Sequence, residues 1–211
     1  MTPRIVIKLG GSLLSHSSTP STLRSLLDDS FKRHQVFLIV GGGELVEAVR
    51  DLDAVHSFAQ EMLHWVSVDL MGSTMTLVSQ WFKDADVIES QEQLAFVNAS
   101  GIAGLCLVMP SAFYRRGDQR LPQNWGTTSD SIAAILAVQL GIKDLVLLKS
   151  CMIDETIDGD LAAERQVVDS HFPTVAKDLC VRLIGFKSTI MSDVLQTAIS
   201  SDGGEVDTRL V

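Results

Sequence analysis

Within its first 43 residues the chain twice runs through a short apolar stretch and straight into glycines. Arg4 to Leu9 (RIVIKL) leads into Gly10 and Gly11, and Gln35 to Val40 (QVFLIV) leads into Gly41, Gly42 and Gly43. A near-continuous apolar run is what a strand buried on both faces requires, and such strands belong to parallel sheets covered by helices. The intervening segments fit that reading. Pro20 to Arg33 carries Leu23, Leu26, Leu27 and Phe31 at helical spacing. The glycines at 41–43 open directly into ELVEAVRDL, a second helix.

The alternation continues along the chain. His56 to Phe82 reads as one long helix, broken, if anywhere, near Gly72. Asp86 to Ile88 is a short strand, and Gly104 to Met109 (GLCLVM) another, closed by Pro110. Ser111 to Gly126 reads as a loop or hairpin. Thr128 to Leu140 (TSDSIAAILAVQL) is a helix with Thr or Ser near its N-cap, Asp130 in its first turn and Gly141 as its C-cap. Asp144 to Leu148 is a strand, Cys151 to Gln166 a polar turn region, and Thr174 to Leu179 a short helix. Val181 to Gly185 is a last strand and Lys187 to Ile199 a last helix. The expected fold class is α/β: a three-layer αβα sandwich with a mostly parallel central sheet. It forms one domain over residues 1–200, followed by a flexible tail at 201–211. Ligands of such sheets bind outside the carboxyl ends of the strands. That rule singles out Gly10–Ser12, Gly41–Gly43, the loop before Thr128, and the stretch from Lys149 to Asp160.

Composition narrows the function. The 211 residues have a mass of 22.9 kDa, enough for one domain that buries about 70% of its unfolded surface. A net charge of −9 disfavours nucleic acid and anionic membranes as partners. Cys106, Cys151 and Cys180 form neither a disulfide framework nor a C-x-x-C site, which fits a reducing, cytoplasmic setting. The N-terminal MTPRIVIKLGGSLL has no signal-peptide layout, and no apolar stretch is long enough to span a membrane.

The chemistry-bearing residues sit at the strand ends. After Lys8, the glycines at 10 and 11 let backbone N–H groups approach an anion, and Lys8 can place an ammonium on a transferring phosphoryl group. The alternative is a tight turn with a surface lysine. Gly41–Gly43 open a helix whose positive end favours an anion, or they form a flexible turn. Two glycine turns ending successive strands make a facing pair, which is more specific than either alone. Asp130 either stabilises its helix as a first-turn charge or holds a catalytic lysine, and Thr128 and Ser129 either cap that helix or touch a ligand. Lys149 ends the strand DLVLL, where a ligand or solvent meets it. Asp154, Asp158 and Asp160 make an acidic loop, either a solvated turn or a place where a carboxylate could hold Mg²⁺, although phosphates often supply most magnesium ligands themselves. His56 and His64 lie eight apart and could share a helix face, but with no third ligand nearby they suit packing or substrate contact better than a metal. No residue is assigned as a protein metal ligand. Trp65, Trp81, Met62, Met71 and Met75 fit a core or a subunit contact. Ser12, Ser129 and Cys151 lack a general-base partner, so covalent catalysis is unsupported.

Taken together, KLGGS at 8–12, GGG at 41–43, TSD at 128–130 before an Ala-rich helix, and DGD at 158–160 resemble the amino acid kinase superfamily, over about Ile5 to Gly159. AVRDLD at 48–53, HWVSVDLM at 64–71, WGTTSDSIAA at 125–134 and LLKS at 147–150 look most like its short members related to aminomethylfuranyl-phosphate kinase. The resemblance implies a kinase that binds ATP with Mg²⁺ and phosphorylates a phosphate or carboxylate oxygen of a small molecule. The acceptor it suggests is an aminomethylfuranyl phosphate in the synthesis of a one-carbon carrier. It also implies a homodimer or larger homo-oligomer. By position, Lys8, Asp130 and Lys149 would be catalytic, with Lys8 bridging the β- and γ-phosphates and Asp130 orienting the lysines. Gly10, Gly11, Ser12, Lys149, Asp154 and Gly159 would bind ATP, and Gly41, Gly42, Gly43, Thr128 and Ser129 the acceptor.

Two features depart from that pattern. Lys149 stands where many relatives have Thr-Asp, and the late Gly-Gly-Met segment of many relatives is replaced by LIGFKSTIMSD, with Gly185 alone and Lys187 as a substitute lysine. The competing reading is therefore a degenerate kinase fold that binds a nucleotide or anion without turnover. A dinucleotide oxidoreductase is disfavoured, because G-x-G-x-x-G is absent after the first strand.

Overall fold

A computed structural model describes residues 2–27, 32–151 and 159–185. Six strands occur among them: β1 (Arg4–Leu9), β2 (Gln35–Val40), β3 (Asp86–Ile88), β4 (Gly104–Val108), β5 (Asp144–Lys149) and β6 (Cys180–Gly185). They form one sheet in the order β3-β4-β2-β1-β5-β6, and every pairing is parallel. β1 lies between β2 and β5, with Leu9 level with Val40 on one side and Leu148 on the other. Three strands therefore finish side by side, and the residues that follow them meet.

Side-chain alternation along the strands divides the interior in two. Val6, Phe37, Ile39, Cys106, Val108, Leu145 and Leu147 face one core; Ile5, Ile7, Leu9, Val36, Leu38, Val40, Val146 and Leu148 face the other. The second core is covered by α1 (Thr19–Leu27) through Leu23 and Leu27, and by Leu13 of the 3₁₀ turn Gly11–Ser15. The first is covered chiefly by α5 (Ser129–Leu140), whose small Ala133, Ala134 and Ala137 are fully buried. α3 (Gln60–Ser79) serves both cores, sending Trp65, Val68 and Met71 into one and Met75 and Val78 into the other. At 1.5 Å per residue it is about 30 Å long, enough to reach across. α2 (Glu44–His56), α4 (Gln91–Ser100), the 3₁₀ turn Pro110–Ala112, α6 (Gly159–Glu164) and α7 (Phe172–Ala176) complete the described elements.

Several helix boundaries differ from the sequence reading. The stretch 56–82 is not one helix: α2 runs on to His56, and α3 begins at Gln60 and passes Gly72 unbroken. Ser57 adopts a left-handed conformation (φ 53°), and Asp53 Oδ1 accepts the Phe58 N–H at 2.8 Å, so a side chain turns the corner. α4 was not anticipated, although Ser90 and Gln93 form a capping box and Gly101 ends the helix. Residues 111–126 form a loop entered through the 3₁₀ turn, not a hairpin. The polar region after Cys151 contains α6, and the short helix spans Phe172–Ala176 rather than 174–179. The expected helix at 187–199, the tail at 201–211 and the end of the 20–33 segment at 28–31 lie outside the described residues.

The adjacent strand ends press their glycine turns together. Gly41 N donates to Leu9 O and Gly10 N to Leu148 O, both at 2.9 Å, extending the ladder past the strands. A Cβ on Gly11 would collide with the Gly43 N and lie 2.6 Å from Gly43 Cα and 2.8 Å from Gly41 C. Those neighbours are backbone and cannot swing away. Gly11→Ala is therefore expected to lower stability by about 1–3 kcal/mol, the usual range for overpacking. The check is the urea unfolding midpoint; an unchanged midpoint would mean that the turns separate without cost.

Candidate active site

Lys8 and Lys149 reach one place because of strand parity. Lys8 shares a face with Val6, and Lys149 with Leu145 and Leu147; this is the face that α5 covers. Asp130 sits in the first turn of α5 and is 3% exposed. Lys8 Nζ lies 2.9 Å from Asp130 Oδ1, and Lys149 Nζ donates to Asp130 Oδ2 at 2.5 Å. One buried carboxylate thus serves two ammonium groups carried by neighbouring strands. Burial alone would raise the Asp130 pKa, but the two lysines outweigh it and hold the carboxyl at about 2. Burial lowers the pKa of Lys8; Asp130 opposes that shift and Lys149 adds to it.

The glycine turns supply the other half of the site. Gly43 precedes α2 without a side-chain cap, and the N–H groups of Gly42 and Gly43 find no acceptor among the described residues. Those amides and the open first turn of α2 present positive charge to the space beside Gly11. Gly43 itself has φ 56°, and a Cβ there would lie 2.5 Å from Gly11 O. Ser12 Oγ and Ser150 Oγ are 2.8 Å apart, linking the turn after β1 to the residue after Lys149.

A cavity of about 210 Å³ opens from the glycine turns between α2, α3 and the loop before α5. Gly11, Gly43, Arg50, His64, Trp125 and Ser129 are among the residues that line it. The Arg50 guanidinium stacks on Trp125, 4.2 Å from the ring centroid, and Trp125 Nε1 donates to Asp53 Oδ2 at 2.7 Å. His64 Nε2 lies 2.9 Å from the Tyr114 hydroxyl, and burial lowers the His64 pKa, which favours a neutral ring at pH 7. His56 and His64 fall on different helices and share no face.

Lys8, Asp130 and Lys149 are thus in contact, with the turns at 10–12 and 41–43 beside them. Thr128 and Ser129 border the cavity, and the Thr128 hydroxyl donates its proton to Asp169 at 2.9 Å. Gly159 begins α6, and Asp154 lies outside the described residues, as does Lys187. Among the described residues no three His, Cys, Asp or Glu side chains are grouped to hold a metal ion, and no helix is long and apolar enough to cross a membrane. Arg50 and Asp169 were not anticipated. Arg50 carries no local signal, because its role depends on α2 lying beside the 122–128 loop. Asp169 is legible only as the start of a turn before Phe172-Pro173.

Neither a family model nor a curated protein matches the sequence. Solved structures do match the fold. The UMP kinase from Ureaplasma parvum superposes with a TM-score of 0.69 at 13% identity, over 93% of this chain and 96% of that one. The uridylate kinase from Archaeoglobus fulgidus gives 0.64 at 14% identity, over 93% and 95%. The aspartate kinase from Synechocystis gives 0.65 at 13% identity, over 88% of this chain but only 38% of that longer one. The protein therefore has the amino acid kinase-like α/β fold, with a six-stranded parallel sheet among the described residues.

The ion cluster makes stability depend on acid. The Asp130 carboxyl titrates at about 2 when folded against an ordinary 3.8. Its contribution is full above the unfolded value and is lost as the pH falls toward 2. Asp130→Asn leaves the buried Lys8 and the partly buried Lys149 without a counter-charge, so a loss of roughly 3 kcal/mol is expected at pH 7. The variant's stability should also fall less steeply than the parent's between pH 4 and pH 2. Urea unfolding across that range checks both, and parallel acid limbs would remove Asp130 from the account.

Proposed function

We propose that the protein is an ATP-dependent small-molecule kinase, transferring the γ-phosphoryl group of Mg-ATP to a phosphate or carboxylate oxygen. The observation that carries this reading is the Lys8–Asp130–Lys149 cluster at the same strand ends from which two glycine turns leave, packed in contact. Phosphoryl transfer breaks the bond between the γ-phosphorus and its bridging oxygen and forms one to the acceptor oxygen. It asks a protein mainly for position and charge compensation. Lys8 and Lys149 offer two cations whose directions are held by one carboxylate. The backbone N–H groups of Gly42 and Gly43 offer donors, and a side chain at 11 would collide with the Gly43 N. The residues present therefore suit a phosphate chain, and magnesium would arrive on the nucleotide, since phosphates supply most of its ligands.

Acceptor selection falls to the cavity beside Gly43. Arg50 is the cation among its lining residues, and its stacking on Trp125 holds the guanidinium flat. Glu44 and Glu47 line the same cavity, and Glu47 lies 3.5 Å from Arg50 Nε; an acceptor bearing an anionic group for Arg50 and an amine for the carboxylates suits that arrangement. Aminomethylfuranyl phosphate, suggested by the sequence resemblance, is the first to try.

Calorimetric titration with Mg-ATP tests the donor site, with Lys8→Ala as control. Micromolar binding that weakens in the variant is expected, together with a fall in kcat of about 100-fold or more, typical for loss of a transition-state charge contact. Binding without turnover across phosphorylated amines and carboxylates would favour the degenerate binder, and no binding to a folded protein would remove the donor site. Once an acceptor is found, Arg50→Ala should raise its KM about tenfold and leave the KM for ATP nearly unchanged.

A further inference from the structure

A second buried carboxylate lies close to this cluster and has no part in the transfer scheme. Asp169 is 8% exposed and sits in the turn before α7. Its two oxygens take six donors. Oδ2 accepts from Thr128 N at 3.0 Å, Thr128 Oγ1 at 2.9 Å and Ser131 N at 3.0 Å. Oδ1 accepts from Ser131 Oγ at 2.5 Å, and from His171 N and Phe172 N at 3.1 Å each. Four of these donors belong to the residues on either side of Ser129 and Asp130.

The usual N-cap is local: the cap side chain accepts the amide of the second or third helical residue. In α5 that bond is long, 3.4 Å from Asp130 N to Thr128 Oγ1. The third amide, Ser131 N, goes instead to a carboxylate from another element. Charge-assisted bonds of this kind are short and directional. They clamp the first turn of α5 from both ends, leaving Asp130 one rotational setting on the helix.

We propose that Asp169 is the positioning residue of this site: by clamping Thr128 and Ser131 it holds Asp130 between Lys8 and Lys149. Its effect on turnover rests on the kinase reading; its effect on the lysines does not. The charged groups acting on the Lys8 ammonium are Asp130 from α5, Lys149 from β5 and Asp169 from the turn before α7. Loosening the clamp weakens the first, and removing the charge removes the third. Both changes make Lys8 easier to deprotonate.

Asp169→Asn is a severe change, because the new NH₂ group faces three donors where an acceptor stood. Ser131→Ala is the milder one, removing a single bond. Asp169→Glu restores the charge on a longer arm. The full-length protein, labelled with ¹⁵N-lysine, reports the Lys8 Nζ titration directly, with Lys8→Arg as the assignment control. In Asp169→Asn the Lys8 midpoint is expected to fall by about half a pH unit or more, with a smaller fall in Ser131→Ala and partial recovery in Asp169→Glu. With a working acceptor, kcat should fall about tenfold while the KM for ATP stays within about twofold. Asp169→Asn also removes a charge that acts on Lys8 directly, so Ser131→Ala, which keeps that charge, is the deciding variant. A plain structural cap would lower stability in Ser131→Ala without moving the Lys8 midpoint. A midpoint within about 0.1 unit of the parent in folded Ser131→Ala therefore overturns the proposal. If the parent shows no turnover yet the midpoint shifts in Ser131→Ala, the positioning role stands and the kinase reading fails.

Discussion

Lys8 is buried and Lys149 partly so, and two ammonium groups so placed repel each other and lose much of their water. Here one carboxylate, Asp130, makes that arrangement tenable. The Lys8 ammonium could not stay in place without a counter-charge, since an unpaired buried charge costs several kcal/mol. Much of the surrounding architecture serves this contact. α5 must approach the sheet closely, and its alanines allow that. β1 and β5 must be neighbours in a register that puts Lys8 and Lys149 on the same face, and the parallel pairing provides it.

The same adjacency brings the glycine turns together. β2, β1 and β5 end side by side, so the segments after them share one small space. Gly11 and Gly43 meet there with no room for a side chain. The result is a tight pair of turns whose backbone amides lie at the same strand ends as the two lysines. The cavity next to it is shaped by a different set of contacts. α2 has no buried residue and is held by the glycine turn at one end and by Asp53 and Trp125 at the other. The lysine cluster and glycine turns thus belong to the ends of the sheet, whereas the cavity is walled by α2, α3 and the loop before α5.

Much of this was legible from residue order alone, and the failures have specific causes. Buried strands in β1, β2, β4 and β5 announce themselves as apolar runs. α5 announces itself by its cap, its alanines and Gly141. The corner between α2 and α3 was hidden because it depends on Ser57 in a left-handed conformation and on Asp53 reaching forward to Phe58 N, neither of which alters the apolar spacing. α4 was hidden for the opposite reason: its capping box is local and readable, but its exposed, weakly amphipathic body supplies no periodic signal. Arg50 and Asp169 were invisible because their partners are distant in sequence.

By itself the sequence determined the class of fold, the strand ends at which chemistry can occur, and the residue types waiting there. Apolar runs can only be buried, and glycines after strands can only be turns, so these follow from local chemistry. The tertiary structure decided which of those residues meet. That Lys8 and Lys149 share Asp130 depends on strand order and register; that α5 is capped by Asp169 depends on where the turn before α7 docks. Such contacts join residues tens of positions apart, and only the closing of the sheet and the packing of helices on it bring them within hydrogen-bond distance.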